Sequence, residues 1–405
     1  MRFLDDYRGI VSDEVLETIC SKAATLSGIR MAHVNATAYG GGVAEILSNL
    51  ILLMNDVGVR ADWRVLHGTP EFFEVTKKFH NTLQGDNEIS FSQEELDLYK
   101  YTNEKFAKFV DLGHDVVIIH DPQPAALVHY IEHSHPWVWR CHIDITKPNQ
   151  KAWDFMAQYV VEYNKMIVSA EAYKRPDLQL EQQIMAPSID PLSNKNMDLS
   201  QNTIDDYLTR ENIPTDKPII TQVSRFDPWK DPEGVLRVWE EVRKEVDCRL
   251  VFCYNMASDD PEGVRIYEKM VAVVKQHMEN GDVLFIRGDD PILVNVLQRY
   301  SSVVLQKSIR EGFALVVTEA LWKGTPVVAS NVGGIPTQIK DGETGFLVEP
   351  QDISGCTAKV IQLLQDRDLA GEIGSKAREY VRENFLITRH LQDYLNLLVE
   401  LLERK

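Results

Sequence analysis

Met31-Ala32-His33-Val34-Asn35-Ala36-Thr37-Ala38-Tyr39-Gly40-Gly41-Gly42-Val43 decides the fold class of this chain. An apolar stretch, Met31–Asn35, runs through three glycines into a segment with a different period. There Val43, Ile46, Leu47, Leu50, Ile51 and Met54 recur at helical spacing. The stretch therefore reads as strand, loop and helix, and the same unit repeats along the chain. Further strands are predicted at Ala61–Leu66, Asp115–His120, Trp137–Ile143 and Met166–Ser169. A second series comes after them at Ile219–Ser224, Leu250–Tyr254, Val283–Arg287, Val303–Leu305, Pro326–Ser330 and Gly345–Val348. Amphipathic segments lie between them, as at Val235, Val238, Trp239 and Val242. Alternation of this kind means parallel sheets covered by helices on both faces, an α/β class.

The 405 residues leave room for two or three domains. Pro187 to Pro218, rich in Asn, Ser, Pro and charge, breaks the rhythm and reads as an interdomain link around a short polar helix. No run of 18 or more uncharged apolar residues is present, and the first residues carry Asp5 and Asp6 where a secretory signal needs a basic and then an apolar stretch. A cytoplasmic protein is expected. Net charge is −18, from 61 acidic and 43 basic residues, and the basic ones are not clustered. Nucleic acid and anionic membrane are therefore poor partners. An anionic ligand would have to be held by a few placed cations and backbone N–H groups. The five cysteines form no C-x-x-C pair, so a zinc or disulfide framework is not expected; Cys248 and Cys253 read as small core residues.

Open α/β sheets bind ligands beyond the carboxyl ends of their strands, and five segments there could carry chemistry. The glycine loop before Val43 lets backbone approach a ligand, and the helix behind it offers free N–H groups to an anion; a plain connection would look the same. In Ser224-Arg225-Phe226-Asp227-Pro228-Trp229-Lys230, Arg225 supplies a planar fork and Lys230 a point charge, enough for two phosphates unless both are solvated surface charges. Glu311-Gly312-Phe313-Ala314-Leu315-Val316-Val317-Thr318-Glu319 holds two glutamates at a spacing that one helix from Gly312 would place on one side. Carboxylates of this kind accept paired hydrogen bonds from vicinal hydroxyls, although Glu319 equally suits a salt bridge. His120 and Asp121 stand at the tip of one strand, and Trp139-Arg140-Cys141-His142-Ile143-Asp144 at the tip of the next. Trp137, Trp139 and Trp153 there could stack on a sugar ring or belong to the core.

Together with Thr325-Pro326-Val327-Val328-Ala329-Ser330-Asn331-Val332-Gly333-Gly334-Ile335-Pro336, these segments resemble glycosyltransferase family 4, the retaining GT-B transferases, over almost the whole chain. The segment Trp139–Asp144 with Pro148-Asn149 after it resembles the trehalose synthase (glycosyltransferring) subgroup. The resemblance implies a GT-B fold: two Rossmann-like parallel-sheet domains facing each other across a cleft. Residues 1–190 would form the acceptor domain, 191–385 the nucleotide-sugar donor domain, and a terminal helix, 386–405, would pack back on the first. It implies transfer of glucose from a nucleoside diphosphate glucose (UDP- or ADP-glucose) to glucose, forming and reversibly cleaving trehalose.

By the same resemblance Arg225 and Lys230 hold the diphosphate, and Glu311 orients the donor glucose. Gly312, Phe313 and Ala314 give it backbone N–H groups, and Glu319 binds the ribose. Gly41 and Gly42 approach the diphosphate, His120 lies near the donor sugar, and Asp144, His142 and Asp121 serve the acceptor. No cofactor or metal is expected, and a homodimer is the candidate assembly. Tyr254–Asp260 departs from the family's glycine-rich strand end, and its Ser258-Asp259-Asp260 is the nearest thing to a D-x-D metal motif, read here as a loop. Competing readings on the same scaffold are a retaining trehalose phosphorylase using glucose 1-phosphate, a family 4 transferase with another acceptor, an epimerase of a nucleotide-linked amino sugar, and a non-catalytic nucleotide-sugar sensor.

Overall fold

The computed structural model describes residues 2–255 and 261–403. It divides into two units, Met1–Ser188 with Ile387–Lys405, and Ile189–Leu386. Each contains one six-stranded sheet whose paired strands all run parallel.

In the first unit the strands are β1 (Arg30–Asn35), β2 (Arg60–Val65), β3 (Val116–His120), β4 (Trp137–Arg140), β5 (Lys165–Val168) and β6 (Gln182–Ile184), in the order β2-β1-β3-β4-β5-β6. In the second they are β7 (Ile219–Val223), β8 (Arg249–Tyr254), β9 (Val283–Arg287), β10 (Val303–Gln306), β11 (Val327–Ser330) and β12 (Phe346–Val348), in the order β12-β11-β10-β7-β8-β9. The order reverses beside β1 in one sheet and beside β7 in the other. A reversal opens a crevice at the carboxyl ends of the strands, where ligands of such sheets sit.

The central strands are buried along their whole length, which is why they read as continuous apolar runs. Gln182–Ile184 is an edge strand that its polar composition hid. Trp137, Trp139 and Trp153 are at most 1% exposed. Their indole N–H groups go to His135, to the Asp121 carbonyl and to the Asp177 carboxylate. They build the core of the first unit and offer no sugar-stacking face, which corrects that expectation.

The stretch 187–218 is not a free link. The chain crosses between units at Ser188–Ile189, and the residues beyond the crossing are packed. Asp190 and Asn196 are buried, and Leu208 and Ile213 join an apolar cluster with β7 and β8. Some of its polar groups cap turns and helices, while others, among them Asn194, Asp205 and Asp206, are exposed. Helix Gln201–Arg210, for instance, is capped by Ser200 accepting from the Thr203 N–H, a contact of the kind that contributes about 1 kcal/mol.

Candidate functional site

In the first unit the glycine loop turns from β1 into helix Gly42–Asp56, one residue earlier than the periodicity suggested. Gly40 and Gly41 have φ of 74° and 79°, and a Cβ on either would meet nothing. These glycines are needed for their backbone conformation, not for space. Asn35 braces the loop. Its side-chain amide donates to the Thr37 carbonyl at 2.6 Å, and its Oδ1 accepts from the Trp63 indole at 2.8 Å.

Asp121 sits at the tip of β3 with φ of 64°. Its Oδ1 accepts the His142 backbone N–H at 2.8 Å, so its carboxyl fixes the β4 tip rather than pointing freely at a ligand. Burial pushes this carboxyl up to about 6, against the backbone hydrogen bond and the nearby Arg140, which pull it down. β4 stops at Arg140, short of the predicted Ile143, because residues 141–144 turn away to form the tip. Asp144 Oδ1 accepts from both the backbone N–H and the hydroxyl of Thr146, a local turn. His120 does not face outward as its strand-end position suggested. It is 1% exposed, between His33 and His142. His33 is a neighbour that sequence reading passed over.

In the second unit Arg225, Lys230 and Glu311 come after the carboxyl ends of β7 and β10, adjacent strands of the sheet. Lys230 Nζ lies 2.5 Å from Glu311 Oε2. That oxygen also accepts from Gln306 at 3.2 Å and Ser308 at 3.0 Å. Arg225 is half exposed and 3.5 Å from Asp227. Two further contacts join the loops: the Ile309 N–H donates to the Trp229 carbonyl at 2.7 Å, and the Arg310 guanidinium covers the Trp229 ring at 4.9 Å. A buried Lys307 stands 3.9 Å from the Asp231 carboxylate, between the same two segments.

The helix after Glu311 begins at Leu315, not near Gly312. Ala314 precedes it in the left-handed conformation, φ 70° and ψ 73°. Glu311 therefore stands outside the helix and the one-face spacing of the two glutamates does not apply. Gly334 presses on this turn; a Cβ there would lie 2.6 Å from the Gly312 carbonyl oxygen. The Phe313 carbonyl accepts from Gln338, and the Phe313 ring is buried. Glu319 is 1% exposed, with Lys195 at 3.3 Å and Gln298 at 3.0 Å. Burial would raise its carboxyl, but Lys195, Lys323 and the Gln298 hydrogen bond together outweigh burial and hold it below the ordinary range. In these contacts Glu319 is salt-bridged to Lys195.

Among the described residues no group of three or more His, Cys, Asp or Glu is arranged to hold a metal ion, and no helix is long and apolar enough to cross a membrane. Ser258-Asp259-Asp260 lies outside the described residues.

A parallel sheet in each unit, together with a family match over the second, makes this a glycosyltransferase of the GT-B fold. Residues 204–380 match the family model described as glycosyl transferases group 1, and residues 33–175 that described as trehalose synthase, N-terminal domain. The trehalose synthase of Thermococcus litoralis is 48% identical over 398 residues, covering 98% of this chain and 96% of that protein. The chain belongs to the trehalose synthase family. A trehalose phosphorylase of Grifola frondosa is 28% identical over 94% of this chain and 58% of its own length. The solved sucrose-phosphate synthase of Thermosynechococcus elongatus superposes with a TM-score of 0.71 at 18% identity, covering 93% of this chain and all of that one.

Proposed function

We propose that this enzyme transfers glucose from a nucleoside diphosphate glucose to glucose with retention of configuration, forming trehalose and cleaving it in reverse. The observation that carries the reading is the Lys230–Glu311 pair at 2.5 Å, a cation and a carboxylate held together beyond the ends of β7 and β10. The 48% identity to a trehalose synthase supports the choice of donor sugar and acceptor.

Breaking the glucosyl–phosphate bond leaves negative charge on the diphosphate and positive charge at the sugar carbon. Lys230 and Arg225 neutralise the first, and a preorganised donor in such a position contributes about 3–4 kcal/mol. Glu311 takes the donor's hydroxyls, with the backbone N–H groups of Gly312, Phe313 and Ala314 beside it. Gly41 and Gly42 are likewise assigned to the diphosphate. The ribose is assigned to Glu319, and Lys195 would yield its place to it. His120, Asp121, His142 and Asp144 are assigned to the sugars. Because Glu311 is assigned to hydroxyls, this reading gives no carboxylate the nucleophile's place in a double displacement. The acceptor oxygen attacks the anomeric carbon on the face the leaving group departs from. Its proton passes to the leaving phosphate oxygen, and no metal takes part.

Product analysis tests this. The protein, with a chelator present, is incubated with glucose and UDP- or ADP-glucose, and separately with glucose and glucose 1-phosphate. Trehalose with release of nucleoside diphosphate is the expected result. Trehalose from glucose 1-phosphate alone would move the function to phosphorolysis, the second reading, which the Grifola frondosa match favours. Full activity in Glu311→Ala would remove the assignment of Glu311.

A further inference from the structure

We infer that His33 is a positioning residue: it fixes the hydrogen polarity of a three-imidazole file, so that His142 presents Nδ1 outward as an N–H donor. The file is built by the sheet. His33 on β1 pairs in register with Ile118 on β3, two residues before His120. His120 in turn pairs with Arg140 on β4, two residues before His142. Each neighbouring strand thus carries its histidine one step further on, and side chains two apart share a face.

The rings stack at centroid distances of 5.3 and 5.2 Å. His33 Nδ1 lies 3.0 Å from His120 Nε2, and His120 Nδ1 lies 2.9 Å from His142 Nε2. His33 and His120 are at most 1% exposed, and His142 is partly exposed at the outer end. Burial lowers His33 to about 3 and drives the other two well below the ordinary histidine range, with Arg140 adding repulsion to both. All three rings are therefore neutral, with one N–H each.

Each of the two contacts needs one hydrogen. If His120 supplied both it would be a cation, and if it supplied neither it would be an anion. Two arrangements survive. In one, His142 donates to His120, His120 donates to His33, and the hydrogen of His33 sits on Nε2. That atom is buried without a hydrogen-bond partner; the T-shaped Tyr394 ring, 5.3 Å away, supplies no more than a weak N–H···π contact. In the other, His33 Nδ1 donates to His120, His120 Nδ1 donates to His142 Nε2, and the hydrogen of His142 sits on Nδ1. Only a lone pair is then left bare on His33. Among buried backbone groups an orphaned N–H is rarer than an under-used carbonyl; the same preference extended to the His33 ring selects the second arrangement.

Under the function proposed above, on which this step rests, the His142 N–H meets a sugar hydroxyl oxygen. At Nδ1 His142 is a donor for binding and not a base.

Selective 15N-histidine labelling of the full chain, with long-range 1H–15N correlation and His142→Gln to assign the signals, reads the tautomers directly. The expected spectrum at neutral pH has His142 Nδ1 protonated and Nε2 bare. His142 protonated at Nε2, or at both nitrogens, overturns the proposal whatever the substrates are. His33→Asp sets an acceptor-only group beside His120, and the polarity should reverse. The KM for glucose is then expected to rise about ten-fold, the loss of one hydrogen bond, with the donor KM unchanged. A reversed spectrum with an unchanged glucose KM removes the acceptor contact and leaves the polarity of the native file intact, so the two ideas fail separately. A folded His33→Asp whose polarity does not reverse overturns the role of His33. Should it not fold, His33→Phe, which gives His120 no donor, should abolish the single-tautomer signal of His142, and an unchanged signal overturns that role equally.

Discussion

Ala314→Gly should make the protein more stable. Ala314 has φ 70° and ψ 73° in the turn between Glu311 and the helix Leu315–Trp322. An L-residue with a Cβ is strained there by about 1–2 kcal/mol. The turn is imposed from outside, by Gly334 pressing on Gly312 and by Gln338 donating to the Phe313 carbonyl, and it also returns the Ala314 carbonyl to the Val317 N–H at 2.9 Å. Glycine relieves the strain but has more unfolded freedom to lose, about 0.5–1 kcal/mol. The difference is a net gain of about 0.5–1 kcal/mol. For a unit of this size each kcal/mol moves the midpoint by about 2–4 °C, so thermal unfolding monitored by circular dichroism or calorimetry should shift up by about 1–4 °C. A midpoint that falls, with activity retained, would refute the claim that the turn holds Ala314 under strain.

Lys230→Ala should lower kcat by about a hundred- to a thousand-fold, the worth of one preorganised charge at the leaving group, and should do so with glucose saturating; steady-state rates of nucleoside diphosphate release check this. Lys307→Met removes the partner of Asp231 inside the protein. Chemical denaturation at neutral pH should show a loss of about 1–3 kcal/mol, the cost of leaving a buried polar group unpaired, smaller in acid, because burial already raises the Asp231 carboxyl and protonation disposes of its charge. Asp121→Asn keeps an oxygen for the His142 N–H but cannot ionise. The folded carboxyl titrates near 6 instead of 3.8, so its stabilising proton is fully present below about 4 and is lost as pH rises through about 6. The variant's advantage over the native chain should therefore open between pH 4 and 6, to about 3 kcal/mol at most, and stay level above; denaturation curves across that range measure it.

Most strands were legible because parallel strands buried on both faces are mainly apolar, as in the runs before His120 in Val116–His120 and before Gln306 in Val303–Gln306. Gln182–Ile184 was not, since an edge strand with two glutamines carries no such pattern. The helix start at Leu315 was misplaced because nothing in Gly312-Phe313-Ala314 announces a left-handed alanine; Gly334 and Gln338, about twenty residues on or more, impose it. At the site, Arg225, Lys230 and Glu311 could be picked out by residue type and strand-end position. His33 and Lys307 could not. His33 looks like any strand residue until the register of three strands aligns it with His120 and His142, and Lys307 becomes notable only when buried against Asp231. The three tryptophans read either way, because an aromatic near a strand end has the same spacing whether it faces a ligand or the core.

Helix Ile387–Glu403 belongs to the first unit although it comes after the second in the chain. Its Leu391, Leu395 and Leu398 are buried, it packs on helices Asp13–Thr25 and Gly42–Asp56, its Glu400 pairs with buried Lys165 at 2.6 Å, and its Tyr394 edges the His33 ring. On the ribosome this sets an order of events. The second unit has its whole sheet outside the exit tunnel while the first still lacks a wall. At about 5–20 residues per second, translation of the roughly two hundred intervening residues takes about 10–40 s. Through that interval the apolar faces of the first two long helices stay uncovered, and a nascent chain is most open to chaperones then.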